Sequence, residues 1–317
     1  KYGPADDAIG AGIFSGRYTS TIVAAGSVAK KILKKFNIDV CGYVKELAGI
    51  VLSEVDSKKA VEYCRAYKQM RVYFDPFYQE IYKKGRITTE MRFLEKMAIF
   101  AQIENEIDKI RAKTPNFNPD AVKDKYSVHP IVNCPDIAAA DQMVEACNKI
   151  SKTGDSAGGI VEVLVRGVPV GLGEPIFNKL DAELGRMMGI GAVKGVEIGA
   201  GFGVKDMTGY ECNDQIHAKD NVVGFESNNA GGITGGLASG QDIIVRLAVK
   251  PTPTIDKEQY TIDKYTLESK KLEAITRRDP TIVARIWPVA ETYTALVILD
   301  HLIAHLGYQA LIKTVDG

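Results

Sequence analysis

The sequence predicts an α+β protein that combines amphipathic helices with strands rich in β-branched residues. Segments 18–36 and 288–305 repeat apolar residues every three or four positions, as helices with one buried face do. Segments 160–168 and 243–249 are short Val- and Ile-rich runs typical of strands. With 45% hydrophobic and 25% charged residues, the composition is globular and excludes disordered, collagen-like and fibrous classes.

The first third of the chain contains a predicted helix, a strand and a long helical block. The helix at 18–36 ends in lysines, whose charge suits the negative end of a helix dipole. A strand is predicted at 39–44. The charged block 57–113 contains one long amphipathic helix, because apolar residues recur at helical spacing at Phe93, Met97, Phe100, Ile103, Ile107 and Ile110.

Glycine usage separates the rest of the chain from this block. Twenty of the thirty glycines lie between Gly154 and Gly240, whereas 57–153 contains only Gly85. Such clusters mark tight turns or close backbone approaches. The predicted elements here are helices at 135–150, from Pro175 and at 288–305, and strands at 160–168, 193–198, 243–249 and 259–267. In the helix from Pro175, the apolar side is expected to contain Leu180, Leu184 and Met188.

Charge and cysteine usage limit the classes of partner. Forty basic and forty acidic residues give a net charge of zero, so neither nucleic acid nor an anionic membrane is expected as a partner. No uninterrupted apolar run approaches the roughly 18 residues of a membrane span. Five scattered cysteines without a C-x-x-C pair indicate reduced thiols in the cytoplasm. Because Lys1 is not preceded by a methionine or signal peptide, we expect that an upstream part is missing.

Local motifs do not predict a dinucleotide or metal site. The glycines at 10, 12 and 16 follow no strand, and those at 199, 201 and 203 precede no helix, so both depart from the Rossmann fingerprint. His301 and His305 share a helix face, but the zincin pattern requires a glutamate where Leu302 stands. We therefore expect turns at the first two motifs and no metal at the third.

Glycine-rich and basic loops without an obvious nucleophile accumulate instead. They offer backbone N–H groups, hydroxyls and fixed cations, which an anionic ligand requires. Taken singly, each loop is also explained as a β-turn with a solvated charge. The segments are Ser227-Asn-Asn-Ala-Gly-Gly, Gly235-Gly, Lys250-Pro-Thr-Pro-Thr and Arg277-Arg-Asp-Pro.

In this order, the segments resemble the chorismate synthase family. The resemblance covers roughly 1–50 and 130–302, and several ordered matches make chance agreement implausible. Its motifs are Gly154-Asp-Ser-Ala-Gly-Gly-Ile-Val-Glu-Val, Gly167-Val-Pro-Val-Gly-Leu-Gly-Glu-Pro, Lys179-Leu-Asp-Ala, Ala192-Val-Lys-Gly-Val-Glu-Ile-Gly, Ser227-Asn-Asn-Ala-Gly-Gly-Ile, Lys250-Pro-Thr-Pro and Asp279-Pro.

The resemblance implies a sandwich of helices between β-layers, with a core at 1–56 and 129–317 and a helical insertion at 57–128. It implies a lyase of the shikimate pathway, which makes aromatic amino acids. The enzyme would eliminate phosphate from 5-enolpyruvylshikimate 3-phosphate to give chorismate. Its expected cofactor is reduced FMN, with NADPH involved only indirectly in reducing the flavin. A cytoplasmic homotetramer is the expected assembly.

The same resemblance assigns roles to individual residues. Arg17 and Arg277 are expected to bind the substrate, which carries a phosphate and two carboxylates, and Asp279 to act in catalysis beside the flavin. Arginine suits such anions because its guanidinium binds them in a bidentate manner. The expected flavin contacts are Ile13, Phe14, Ser15, Gly191, Ala192, Gly235, Lys250, Pro251, Thr252, Pro253, Thr254 and Arg277.

Three departures from the family pattern leave alternatives open. The two family histidine motifs are not in this chain. Ile9 and Ile13 stand where the family has arginines, and Arg278 stands where it has histidine. The alternatives are a non-catalytic homologue that binds flavin or phosphate, and a C-terminal subunit that needs a separate N-terminal half.

Overall fold

A computed structural model describes residues 16–53, 60, 132–220, 222–272 and 279–315. The chain divides into two compact units, one formed by residues 1–42, 160–249 and 285–317, and the other by 43–159 and 250–284. Apart from Ala60, the predicted insertion at 57–128 lies outside the described residues, and so does its long helix.

Helices and strands both occur throughout the described residues, which confirms the α+β prediction. The helices are α1 (Thr19–Leu33), α2 (Ile137–Lys152), α3 (Leu180–Gly185), α4 (Gly209–Cys212) and α5 (Val283–Val315). The strands are β1 (Asp39–Leu47), β2 (Ile50–Val51), β3 (Gly159–Arg166), β4 (Val193–Ile198), β5 (Ile216–Lys219), β6 (Val222–Phe225), β7 (Ile233–Thr234), β8 (Leu237–Ala238), β9 (Ile243–Val249), β10 (Gln259–Ile262) and β11 (Ser269–Leu272).

The largest sheet of the described residues has the strand order β2-β1-β3-β9-β4, and its strands β9 and β4 belong to the first unit. β3 carries an unbroken run of buried residues, as strands covered on both faces do. β9 instead alternates buried and more exposed positions. β4 and β9 are antiparallel, with Val196 opposite Leu247, and a bulge between Val193 and Gly195 shifts their register. The predicted strands at 193–198 and 243–249 are confirmed.

Helices α1 and α5 of this unit approach each other closely. A methyl group on Gly26 would overlap both the side chain and the carbonyl group of Thr292, so only glycine fits at this point. Next to it, the buried carboxylate of Glu291 forms an ion pair with Lys30 of α1. Its second oxygen accepts a hydrogen bond from the backbone N–H of Gly42 in β1, at 2.7 Å. One side chain of α5 thus contacts both α1 and the sheet.

The predicted helix at Pro175 begins later, at Leu180. Leu180 and Leu184 are buried as their spacing indicates, but Met187 is buried next and Met188 is 49% exposed. The reason is that α3 ends in a 3-10 helix with about three residues per turn. The residue three positions after Leu184 therefore faces the core.

The last helix begins at Val283, five residues before the predicted start at Pro288. Proline inside a helix typically costs about 3 kcal/mol, which is why a start at the proline was expected. Val283 and Ile286 are buried in this first part of the helix, and their packing offsets that cost. By length and composition, Val283–Tyr308 could also cross a membrane, but half of its 18-residue apolar window is buried, as in a core helix.

The second unit contains α2 and two short antiparallel pairs. Asp136 caps α2 by accepting a hydrogen bond from the Ala139 N–H, at 2.7 Å. β2 pairs with the end of β1. The single strand predicted at 259–267 is instead the hairpin of β10 and β11. Asp263 reverses the chain there by accepting hydrogen bonds from the N–H groups of Tyr265 and Thr266.

The contact of Gly26 with Thr292 gives a stability prediction. Gly26→Ala is expected to lower the free energy of unfolding by about 1–3 kcal/mol, the usual cost of overpacking a closed contact. Urea unfolding measures the difference.

The matched control is Gly185→Ala in α3, where an added methyl group meets nothing within 4 Å. This variant is expected to be neutral or more stable by up to about 1 kcal/mol, because alanine favours helix. Equal losses in both variants would contradict the close packing.

Candidate functional site

The expected site residues that the structure describes lie in both units. Gly191, Ala192 and Gly235 belong to the first unit, and segment 250–254 and Asp279 belong to the second. Arg17 lies in a short 3-10 helix, Gly16–Tyr18, and its side chain is not among the described ones. Four expected contacts lie outside the described residues: Ile13, Phe14, Ser15 and Arg277.

Gly191 and Ala192 occupy the tip of a tight turn before β4. The N–H of Val193 donates to the carbonyl oxygen of Ile190 at 3.0 Å, which closes the turn. Ala192 has a φ of 72°, a left-handed conformation that costs a non-glycine residue about 1–2 kcal/mol. Because Gly191 has no such φ, the alanine rather than the glycine holds the strained position. Strain of this kind is concentrated at functional sites.

The second glycine turn joins β7 and β8. Gly235 and Gly236 have φ values of 64° and 95°, as in the two-residue turns that suit a β-hairpin. A methyl group on Gly236 would lie 2.6 Å from Cγ of Lys179, whereas one on Gly235 would meet no described atom within 4 Å. The stem of Lys179 therefore covers one side of the turn and leaves Gly235 accessible. Lys179 carries part of the family resemblance, but no site role was expected for it.

Asp214 organises the loop at 227–232. Its carboxylate accepts hydrogen bonds from the Ser227 hydroxyl at 2.5 Å and from the N–H groups of Asn229 and Ala230 at 2.7 and 3.0 Å. Burial alone raises the pKa of Asp214, but these hydrogen bonds outweigh it and hold the pKa below the ordinary 3.8. No local sequence pattern indicates Asp214, because this residue lies 13 to 16 positions from the loop residues that it contacts.

Arg246 of β9 forms contacts with strands β3 and β4 of the sheet. Its guanidinium binds Glu162 at 2.5 Å and Glu197 at 3.4 Å, and donates to the carbonyl oxygen of Gly199 at 2.6 Å. Burial lowers the pKa of Arg246, but the two carboxylates outweigh burial and raise it. One cation shared by two carboxylates offers no charge to an anionic ligand. The glycine loop that begins at Gly199 is therefore held as a turn, as the sequence indicated.

In the second unit, segment 250–254 is joined to Asp279. The Thr252 hydroxyl donates to the carbonyl oxygen of Asp279 at 2.8 Å, and Gln259 donates to the carbonyl oxygen of Pro253 at 3.1 Å. Lys250 and Asp279 are half-buried, and Thr254 is exposed. The structure thus brings together an expected flavin segment and the expected catalytic aspartate, which lie far apart in sequence.

Among the described residues, no three His, Cys, Asp or Glu side chains gather as a metal site. His301 is buried in α5. Burial also raises the pKa of the Cys134 and Cys147 thiols to about 11, so both stay protonated and unreactive near neutral pH.

Comparison with known proteins places the chain in a family. The model of the family described as chorismate synthase matches residues 1–303. The chain belongs to the chorismate synthase family. It is 39% identical to a chorismate synthase of Acetivibrio thermocellus over 319 residues, covering 100% of this chain and 65% of the relative. It is 50% identical to one of Methanosarcina mazei over 199 residues, covering 62% of this chain and 54% of the relative.

A solved structure of a family member supports the fold. The crystal structure of a chorismate synthase aligns with a TM-score of 0.59 at 24% identity, covering 92% of this chain and 65% of that one. At this identity the comparison establishes the fold alone. The chain spans between 54% and 65% of the length of the two relatives named above.

The strained turn at Ala192 gives a prediction in which one substitution raises stability and weakens FMN binding. Ala192→Gly is expected to raise the free energy of unfolding by about 0.5–1 kcal/mol, because glycine adopts a positive φ without strain. Denaturant unfolding measures this change. If the methyl group contacts flavin, the same variant binds FMN more weakly, and unchanged affinity would remove Ala192 from the site.

Asp214 predicts an acid-sensitive contribution to stability. Since its pKa is lower in the folded state than in the unfolded state, it stabilises the fold above the unfolded value and loses this effect as pH falls through the folded value. Asp214→Asn is expected to cost about 1 kcal/mol at neutral pH, a moderate value because water reaches the site. It should also flatten the loss of stability below a pH of about 4.

Urea unfolding across a pH series tests this expectation. The control is Asp206→Asn, which alters an exposed ion pair with Lys205 and should change stability by less than about 0.5 kcal/mol. The same acid dependence in wild type and Asp214→Asn would contradict the assignment.

Proposed function

We propose that this protein is a lyase that eliminates phosphate from 5-enolpyruvylshikimate 3-phosphate to give chorismate, with reduced FMN as cofactor. Family membership supports the reaction. The observation that carries the proposal is the junction of segment 250–254 with Asp279, because it links the expected flavin segment to the expected catalytic residue. No observation favours a non-catalytic homologue or a C-terminal subunit.

The chemistry of the described residues fits a bound flavin. Lys250 supplies a cation for an anionic cofactor, and the exposed Thr254 supplies a hydroxyl. In the first unit, Gly235 presents open backbone and Ala192 holds a strained turn. The Thr252 hydroxyl donates its proton to the carbonyl oxygen of Asp279, so toward a flavin this hydroxyl serves as an acceptor.

The residues of the chain mainly bind, orient and exclude water. We assign Arg17 and Arg277 to the phosphate and carboxylates of the substrate, since bidentate guanidinium groups neutralise such oxygens. Lys250 and Thr254 would hold reduced FMN, which when bound would supply electron density for cleavage of the allylic C–O bond and an acceptor for the proton. The Asp279 carboxylate is held on a backbone fixed by Thr252, where a carboxylate can accept a hydrogen bond from a nearby proton donor. Charged groups held in advance in this way stabilise charge that develops in the transition state.

The finer features are part of the same proposal. We infer a cytoplasmic homotetramer with a small-molecule substrate and no nucleic acid or membrane partner, and NADPH acts only indirectly, through flavin reduction. Family membership supports the substrate class and the soluble biosynthetic role. The block at 57–128 remains a predicted helical insertion in a core formed by 1–56 and 129–317.

Lys250 gives the direct test of the cofactor site. Lys250→Ala is expected to raise the FMN dissociation constant roughly ten- to hundredfold, since a hydrogen bond to a charged group is worth about 1.5–3 kcal/mol. Titration monitored by flavin fluorescence measures the constant. Phosphate release from 5-enolpyruvylshikimate 3-phosphate, assayed anaerobically with reduced FMN, then tests the reaction.

The matched control is Lys257→Ala, because this lysine lies near the same segment but pairs with Asp155 at the surface. Its effect on FMN binding should be less than about threefold. Equal effects of the two substitutions would place the flavin elsewhere, and wild-type protein that releases no phosphate would refute the proposed reaction.

A further inference from the structure

Residues 154–157 contact both loops that form the candidate site of the second unit. The Ser156 hydroxyl donates to the carbonyl oxygen of Thr252 at 2.7 Å. The Thr252 hydroxyl in turn donates to the carbonyl oxygen of Asp279 at 2.8 Å. The N–H of Ala157 donates to the carbonyl oxygen of Pro280 at 2.8 Å. Two hydroxyls in series therefore connect three segments that are distant in sequence.

Gly154 and Asp155, the two residues before Ser156, contact residues 256 and 257, which follow segment 250–254. The N–H of Asp256 donates to the carbonyl oxygen of Gly154 at 2.7 Å, and Lys257 pairs with Asp155 at 2.7 Å. Gly154 has a φ of 82°, and a methyl group there would lie 2.5 Å from the carbonyl oxygen of Asp256. Glycine is therefore required for this close approach.

Burial distinguishes the strong contacts from the weak one. Ser156 is 8% exposed and Ala157 is 3% exposed, so loss of either hydrogen bond leaves a polar group without water. The side chains of Asp155 and Lys257 are 38% and 45% exposed, and such surface pairs contribute little. The hydroxyl of Ser156 is thus a buried side-chain donor of this segment, and its removal should disturb the loop.

We propose that Ser156 is a positioning residue for the cofactor site. Its hydrogen bond fixes the backbone at Thr252, and Thr252 fixes the backbone that carries the Asp279 carboxylate. Ser156 acts through these residues and need not touch the flavin or the substrate. The proposal rests on the proposed function, because it takes segment 250–254 to be part of the flavin site.

The test compares three variants of the full-length protein. Ser156→Ala removes the donor, Ser156→Thr keeps a hydroxyl, and Lys257→Ala removes only the exposed ion pair with Asp155. FMN affinity is measured by fluorescence titration well below the unfolding temperature. Hydrogen–deuterium exchange of peptides that cover 250–257 and 279–281 reports the loops without any ligand.

We expect Ser156→Ala to raise the FMN dissociation constant about three- to tenfold, the range for one lost hydrogen bond, and to speed exchange in both peptides. Ser156→Thr should restore most of the affinity, and Lys257→Ala should change it by less than about threefold. Faster exchange with unchanged affinity would reduce Ser156 to a structural residue and overturn the proposal. Unchanged exchange would overturn it as well.

Failure of the proposed function and failure of the positioning role give different results. If wild-type protein binds no FMN, the proposed function fails, and the positioning role fails with it. If wild-type protein binds FMN and Ser156→Ala binds it equally well, only the positioning role is lost.

Discussion

The packing of the first unit depends on the buried carboxylate of Glu291. A charge removed from water must be compensated, and here Lys30 and the Gly42 N–H compensate it. Removal of one partner from such a pair usually costs about 3–5 kcal/mol, so the contact fixes α5 against α1 and β1. The glycine contact at Gly26 lies one helical turn from Lys30 and enforces the same approach. The turns that carry Ala192 and Gly235 belong to the unit that this arrangement supports.

In the described residues, the candidate-site segments are held through backbone carbonyl groups. Thr252, Pro253 and Asp279 each accept a hydrogen bond at the backbone, and Gly236 accepts one from the N–H of Leu180 at 3.0 Å. Backbone contacts fix where the chain runs without using the charged ends of side chains. Binding groups held in advance lose less entropy when a ligand arrives, and this favours both affinity and catalysis.

Some cations of the protein pair with its own carboxylates, whereas others are candidates to face an anionic ligand. Arg246, Lys30 and Lys257 each face a carboxylate within the protein, so their charge is neutralised internally. The proposed ligands are anionic and need cations that can face them, for which Lys250, Arg17 and Arg277 are the candidates. Under the proposed function, the replacement of two family arginines by Ile9 and Ile13 leaves these remaining cations to neutralise more of the substrate's charge.

The sequence alone determined the α+β class, the strands at 193–198 and 243–249, and the family, because periodicity and ordered motifs are local properties of the chain. It also distinguished the glycine-rich and basic loops from the rest of the chain. Only the tertiary structure decided that Met187 rather than Met188 is buried, that α5 starts before Pro288, and that Thr252 donates to Asp279. The tertiary structure alone also revealed that Asp214 and Ser156 hold loops in place. These features depend on contacts between residues far apart in the chain, and local propensity carries no information about such contacts.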